Sequence, residues 1–316
     1  MYSRKFFVFL SAVSALLTVA VYPIKALCIG TDAPVDGINS VNVLEAIFLG
    51  FVQGMTEFLP ISSTAHLKVV PVVLGLGDPG VAFTAVIQLG SIAAVLWYFW
   101  GDLTRIIKGA TRAIALSDYA DYDFRVCAGI VLGTIPIVIF GLLIKIFIPD
   151  FDNSPIRSLS AIAIASICMS LLLGLSEKIG KRQRDFEKLT MVDGILMGLA
   201  QSLSLIPGVS RSGSTLTAGL FMGLERETAA RFSFLLGIPA ITLAGLVQLR
   251  DILGQNLGDM TPLIAGIISA GVFSYLAIAG LLRFLKTQST WVFIWYRLAF
   301  GVAILGAISA GILKNS

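Results

Sequence analysis

Charge is scarce in this chain of 316 residues: Asp, Glu, Lys and Arg make up only 13%, and there is a single histidine. So little charge, with 56% hydrophobic residues and a mean hydropathy of +0.89, leaves more apolar surface than a soluble domain of this length could bury. The composition therefore excludes a soluble enzyme and predicts an all-α polytopic membrane protein. Cysteine is nearly absent too. Cys28, Cys127 and Cys168 have no metal-ligand spacing and read as packing residues, which excludes a structural zinc site or a disulfide framework. A net charge of +4 is too modest for a nucleic-acid partner, and none is expected.

What the chain does have is long apolar runs. Stretches of roughly 18 residues or more, enough to cross the hydrocarbon core, cover 6–24, 81–100, 126–143, 158–176, 232–249 and 261–282, and 291–313 is interrupted only by Arg297. About six core spans plus an extra N-terminal helix are predicted. Residues 1–40 read as that helix, or a signal-like segment, with a polar linker, and 41–316 as the functional domain. The basic residues Arg105, Lys108 and Arg112, then Lys178, Lys181, Arg182, Arg184 and Lys188, then Arg283 and Lys286, mark one side of the membrane as cytoplasmic. For that parity to hold, 41–77 and 191–223 must each enter and leave by the same side. Each is predicted to be a re-entrant hairpin.

The two hairpins resemble each other. At a constant offset of 148 residues Gly50 falls on Gly198, Gln53 on Gln201, Thr56 on Ser204, Ser62 on Ser210 and Thr64 on Ser212, and the pairs Leu89-Gly90 and Leu236-Gly237 follow at nearly the same offset. The pattern predicts an inverted-topology repeat, one copy at about 41–148 and the other at about 189–285, with broken helices meeting near the midplane.

The chemistry is concentrated in the breaks. The first reads Gln53-Gly-Met-Thr-Glu57-Phe-Leu-Pro-Ile-Ser-Ser-Thr-Ala-His66, and the second Pro207-Gly-Val-Ser-Arg-Ser-Gly-Ser-Thr215. Gln53 and Glu57, four apart, share a helix face. Pro60 ends that helix, and Ser62, Ser63 and Thr64 stand at the start of the next, where free N–H groups suit a phosphate. His66 lies one turn beyond Ser63. Arg211, among Ser210, Ser212 and Ser214, offers a bidentate fork to an anion. A hydroxyl near an imidazole and a carboxylate suggests group transfer, with Ser63 and His66 as rival nucleophiles. Lys68, Lys145 and Arg297 read as snorkelling or structurally paired. Glu57, His66 and Arg211 could alternatively form an ion-pair cluster that only holds the hairpins together.

Both strings resemble the signature motifs of the bacterial undecaprenyl-diphosphate phosphatases, the bacitracin-resistance family, over about residue 41 to the C-terminus. This chain has the Gln form at Gln53, and carries Ala65 where glycine is the family pattern. The resemblance implies hydrolysis of undecaprenyl diphosphate to the monophosphate and phosphate, recycling the lipid carrier of peptidoglycan synthesis. It further implies catalysis by Ser63, His66, Glu57 and Arg211, substrate binding by Ser62, Thr64, Ser210, Arg211, Ser212 and Thr215, and a divalent cation on Glu57 and Gln53, Mg²⁺ being expected and Ca²⁺ the alternative. The implied setting is the bacterial plasma (inner) membrane, multi-pass, with the site reached from the outer face by a polyprenyl diphosphate lipid, and a homodimer left open. A polyprenyl-phosphate flippase or other inverted-repeat transporter is the rival from another class.

Overall fold

The computed structural model describes residues 41–76, 79–148, 151, 154–253 and 259–315, so the expected N-terminal helix lies outside the described residues. Eleven α-helices occur among those described: α1 (Val43–Glu57), α2 (Ser63–Val73), α3 (Gly80–Tyr98), α4 (Trp100–Leu116), α5 (Tyr122–Phe147), α6 (Leu159–Ile179), α7 (Met191–Ser202), α8 (Arg211–Phe221), α9 (Arg226–Leu253), α10 (Met260–Leu285) and α11 (Trp291–Ser309). Five of them, α5, α6, α9, α10 and α11, are long and apolar enough to span a bilayer, and α3, followed by α4 after a 63° bend, supplies a sixth. These six are the core spans expected from hydropathy.

The hairpins α1–α2 and α7–α8 start alike. Asn42 caps α1 by accepting the Glu45 N–H at 3.0 Å while Glu45 accepts the Asn42 N–H at 3.0 Å. In the second copy Thr190 and Asp193 form the same reciprocal box, at 3.2 Å and 2.8 Å. Each box satisfies two N–H groups that a helix start would otherwise strand in an apolar setting. The first helix of each hairpin then packs on a long helix of the opposite repeat: α1 on α10, α7 on α5. Glycine makes this possible. A Cβ on Gly50 or Gly54 would strike the α10 backbone between Gly266 and Ser274, and one on Gly194 or Gly198 would strike Gly129 and Gly133 of α5. In lipid, where apolar burial between helices contributes little, such close backbone approach is a principal source of association.

The hairpins enter from opposite ends. Val41, just before α1, and Ala46 of α1 pack near Leu263 and Gly266, where α10 begins. Asp193 of α7 instead meets Arg184, whose guanidinium also donates to the Met222 carbonyl just before α9 begins, and the start of α9 is tied by Arg231 to Asp102 at 2.6 Å. Since α9 runs from one end of the bundle to the other, the two hairpins are inverted.

Their tips meet, and one residue ties them. Arg297, fully buried on α11, donates Nη1 to the Pro60 carbonyl at 3.1 Å, and Nη2 to the carbonyls of Gly208 at 2.8 Å and Val209 at 3.1 Å. Its Nε reaches the Ser166 hydroxyl at 3.4 Å. Among the described residues no carboxylate pairs with it. The reason is backbone chemistry: a helix broken inside a membrane leaves carbonyls with neither an N–H nor water to bind. A guanidinium has the several fixed donors needed to serve both breaks at once.

This geometry sets an expectation for Arg297→Met, which keeps most of the stem but strands the three carbonyls. Each buried group left unpaired costs about 1–3 kcal/mol, so thermal unfolding in detergent should occur at a clearly lower temperature. Arg297→Lys should recover only part of the loss, because one ammonium cannot serve both tips. An unchanged melting temperature for Arg297→Met would contradict the clamp.

Candidate active site

Two serines with an unusual backbone shape the tips. Ser62 has φ 73° and ψ 99°, and Ser210, its counterpart at the repeat offset, has φ 71° and ψ 118°. Residues other than glycine rarely adopt such angles, and the strain is sustained only where surroundings enforce it. Each strained serine immediately precedes a short helix. The first residue of α2 is Ser63, and the first residue of α8 is Arg211. The repeat thus puts a hydroxyl in one copy where it puts a guanidinium in the other.

Glu57 receives both. Ser63 Oγ donates to Glu57 Oε2 at 2.7 Å, and Arg211 Nη2 donates to Glu57 Oε1 at 3.2 Å. The Gln53 amide donates to Glu57 Oε2 at 3.1 Å and lies 3.4 Å from Ser91 Oγ, which in turn accepts from Ser274 at 2.8 Å. The carboxylate is therefore fixed by groups from α1, α2 and α8, and backed by α3 and α10. Both side chains of the Glu57–Arg211 pair are 9% exposed. The second end of the guanidinium is different. Arg211 Nη1 is buried and has no partner among the described residues. The group stands 5.9 Å over the Phe58 ring and rests against Gly237, where any Cβ would collide with it.

His66 is placed elsewhere. Its Nδ1 donates to the Ser62 carbonyl at 2.7 Å, so in the neutral ring Nε2 accepts the Tyr296 hydroxyl at 2.6 Å. The imidazole is stacked on Phe300 with ring centroids 4.4 Å apart. Both ring nitrogens are thereby engaged, and the hydroxyl of Ser63 turns to Glu57 rather than to His66. The second-tip hydroxyls hold the tip itself. Ser212 donates to the Leu59 carbonyl at 2.9 Å across the junction, Ser210 accepts from Gly213 N–H at 3.1 Å, and Thr215 pairs with Ser233 and with the Arg211 carbonyl. Ser62 is buried without a side-chain capping bond, and Thr64 is exposed. No group of three or more His, Cys, Asp and Glu side chains able to hold a metal occurs among the described residues.

Arg297, Tyr296 and Gly237 support this site and were not singled out for it from the sequence. The one available signal was Arg297, a charge inside an apolar run that demands a reason.

Comparisons with known proteins place the chain in a family. The family described as "Bacitracin resistance protein BacA" matches residues 46–303. The chain is 76% identical to an undecaprenyl-diphosphatase of Nostoc sp., covering 100% of this chain and 99% of the relative. It is 74% identical to one of Trichormus variabilis with the same coverage, and 60% identical to one of Synechocystis sp. over 96% of this chain and 97% of the relative. With both tips inside the matched span, this chain belongs to the bacitracin resistance protein BacA family.

Proposed function

We propose that this chain hydrolyses undecaprenyl diphosphate to undecaprenyl phosphate and inorganic phosphate, which recycles the lipid carrier of peptidoglycan synthesis and confers bacitracin resistance. The observation that carries the reading is the half-used guanidinium of Arg211: Nη2 is held by the same Glu57 carboxylate that accepts from Ser63, while the buried Nη1, against Gly237, has no partner among the described residues and is left for an anion. Relatives with the same name-giving activity support it. The first hairpin enters from the end opposite the basic connections, so the lipid head would reach the site from the outer face of the bacterial plasma membrane, its tail remaining in the bilayer.

In this reading Ser63 Oγ attacks the terminal phosphorus as Glu57 Oε2, 2.7 Å away, takes its proton. The bridging P–O bond breaks, and undecaprenyl phosphate leaves. Glu57 passes that proton to the departing undecaprenyl phosphate. Water then attacks the phosphoserine, giving one proton to the restored Glu57 carboxylate, which hands it to Ser63 Oγ as the serine P–O bond breaks and inorganic phosphate departs. Arg211 neutralises charge on the transferred group, and its pre-set position avoids reorganisation during the reaction. The N-terminus of α2, with no side-chain capping bond, offers further N–H donors to phosphate. His66, stacked and bonded on both nitrogens, orients the strained tip through the Ser62 carbonyl.

A divalent cation fits the donors only in a particular way. With one carboxylate present, Glu57 and Gln53 would supply one or two oxygens and the diphosphate and water the rest, as Mg²⁺ commonly accepts. When bound it would spread the phosphate charge.

Three outcomes follow for phosphate release by purified protein. Arg211→Ala should lose about 3 kcal/mol of transition-state stabilisation, about a hundredfold in rate, with poor rescue by lysine. Gly237→Ala should mimic it in milder form at unchanged thermal stability, because the new methyl displaces only the guanidinium tip. Wild-type rates in both variants would rule out the arginine clamp.

Chelator should silence the enzyme, and Glu57→Gln should be far more damaging than Gln53→Glu, which adds an anionic oxygen. Activity of the Glu57→Gln variant in excess chelator would reject a cation on this residue. For the nucleophile, Ser63→Ala should abolish turnover and His66→Ala should leave a measurable rate. The phosphoenzyme trapped by acid quench should survive acid as phosphoserine does, and an acid-labile one would point to His66. Binding without phosphate release would favour the transporter reading.

A further inference from the structure

The helix α4 has three faces, and they are suited to different surroundings. Ile106, Ala110 and Ala113 are buried against the protein, and Gly109 on the same side abuts Asp123 at the start of α5. At 100° per residue, Trp100, Ile107 and Ile114 lie together on a second sector, and all three are more than half exposed. Lys108 and Arg112, one turn apart, share a third sector with Arg105. Arg105 is engaged with Asp102 and Asp123 at 3.9 Å and 3.5 Å, whereas Lys108 and Arg112 are exposed and have no ion-pair partner among the described residues.

The bend explains how such a helix can exist at the edge of a bilayer. At Phe99 the chain turns by 63°, leaving α3 as the span and α4 directed away from its axis. Trp97 and Trp100, 78% and 67% exposed, flank the turn, and tryptophan favours the headgroup level of a membrane. Had α4 continued the span, its basic sector would stand in hydrocarbon. Lying along the surface, it can bury Ile107 and Ile114 at the acyl boundary and hold its cations among headgroups.

We propose that α4 is an interfacial helix that binds the anionic phosphodiester headgroups of membrane phospholipids through Lys108 and Arg112, with Trp100, Ile107 and Ile114 as its apolar anchor. The charge fits this partner: basic side chains near a lipid surface attract anionic lipids individually weakly and jointly usefully. The placement of the other basic connections at the same end of the bundle assigns the surface to the cytoplasmic leaflet.

The test uses the full chain, purified and delipidated, and titrated with phosphatidylglycerol or phosphatidylcholine while retained lipid is counted by native mass spectrometry. Wild type should retain phosphatidylglycerol in preference to phosphatidylcholine. Lys108→Gln/Arg112→Gln should bind phosphatidylglycerol about tenfold or more weakly, given the roughly 1 kcal/mol per basic residue near a lipid surface, while its phosphate-release rate stays normal as proof of folding. Lys181→Gln, in a different basic connection, should retain the preference. The same loss in Lys181→Gln, or undiminished binding in the α4 double variant, would overturn the proposal. Free inorganic phosphate displacing the lipid at equal concentration would assign the site to a soluble anion instead and overturn it equally.

Discussion

The site depends on one unsolved problem of backbone chemistry and the side chain that solves it. Two helices that stop midway through a membrane leave carbonyls that neither a continuing helix nor water can satisfy. Arg297 collects carbonyls from both stops, Pro60 on one side and Gly208 and Val209 on the other. The two tips are thereby held against each other, and a cation is retained in the protein centre with no carboxylate partner among the described residues. Burial of that charge is tolerable because its donors meet backbone dipoles.

Once the tips are joined, duplication does the rest. The strained serines Ser62 and Ser210 launch α2 and α8 at equivalent points, and Ser63 and Arg211 come next. Glu57 has no acidic counterpart in the second copy, where Leu205 stands at the same offset. The pair of hairpins is therefore symmetric in backbone and asymmetric in chemistry. One carboxylate accepts from a nucleophile candidate of its own tip and from a cation of the other. Ser212, bonded to the Leu59 carbonyl, and Gly237, which leaves room for the guanidinium, hold that meeting in register.

Much of this was legible from residues alone, because membranes simplify the code. Hydropathy locates the six core spans, basic-residue parity requires two re-entrant hairpins, and the offset of 148 residues pairs Ser62 with Ser210. Glu57, Ser63 and Arg211 stood out as polar groups in apolar sequence, and the fold does bring them together. His66 shows the limit. Helical spacing put it near Ser63, but rotation about the strained Ser62 and the stack of Tyr296 and Phe300 from α11 decide its contacts, and neither is local in sequence. Arg297 was visible as a charge in need of a reason, yet its partners are carbonyls, which every residue carries and no sequence distinguishes. The turn at Phe99 was likewise hidden, since an apolar run records where a span can be and not the direction the chain takes afterwards.

On the proposed function the two tips act as one catalytic unit on the diphosphate. The most direct measurement is a double-mutant cycle on phosphate release with Glu57→Gln, Arg211→Ala and the two combined. Groups acting together in one transition state give strongly non-additive losses. The double variant should be hardly slower than the worse single variant. Losses that simply multiply would mean that the two tips contribute independently, and would contradict their joint action.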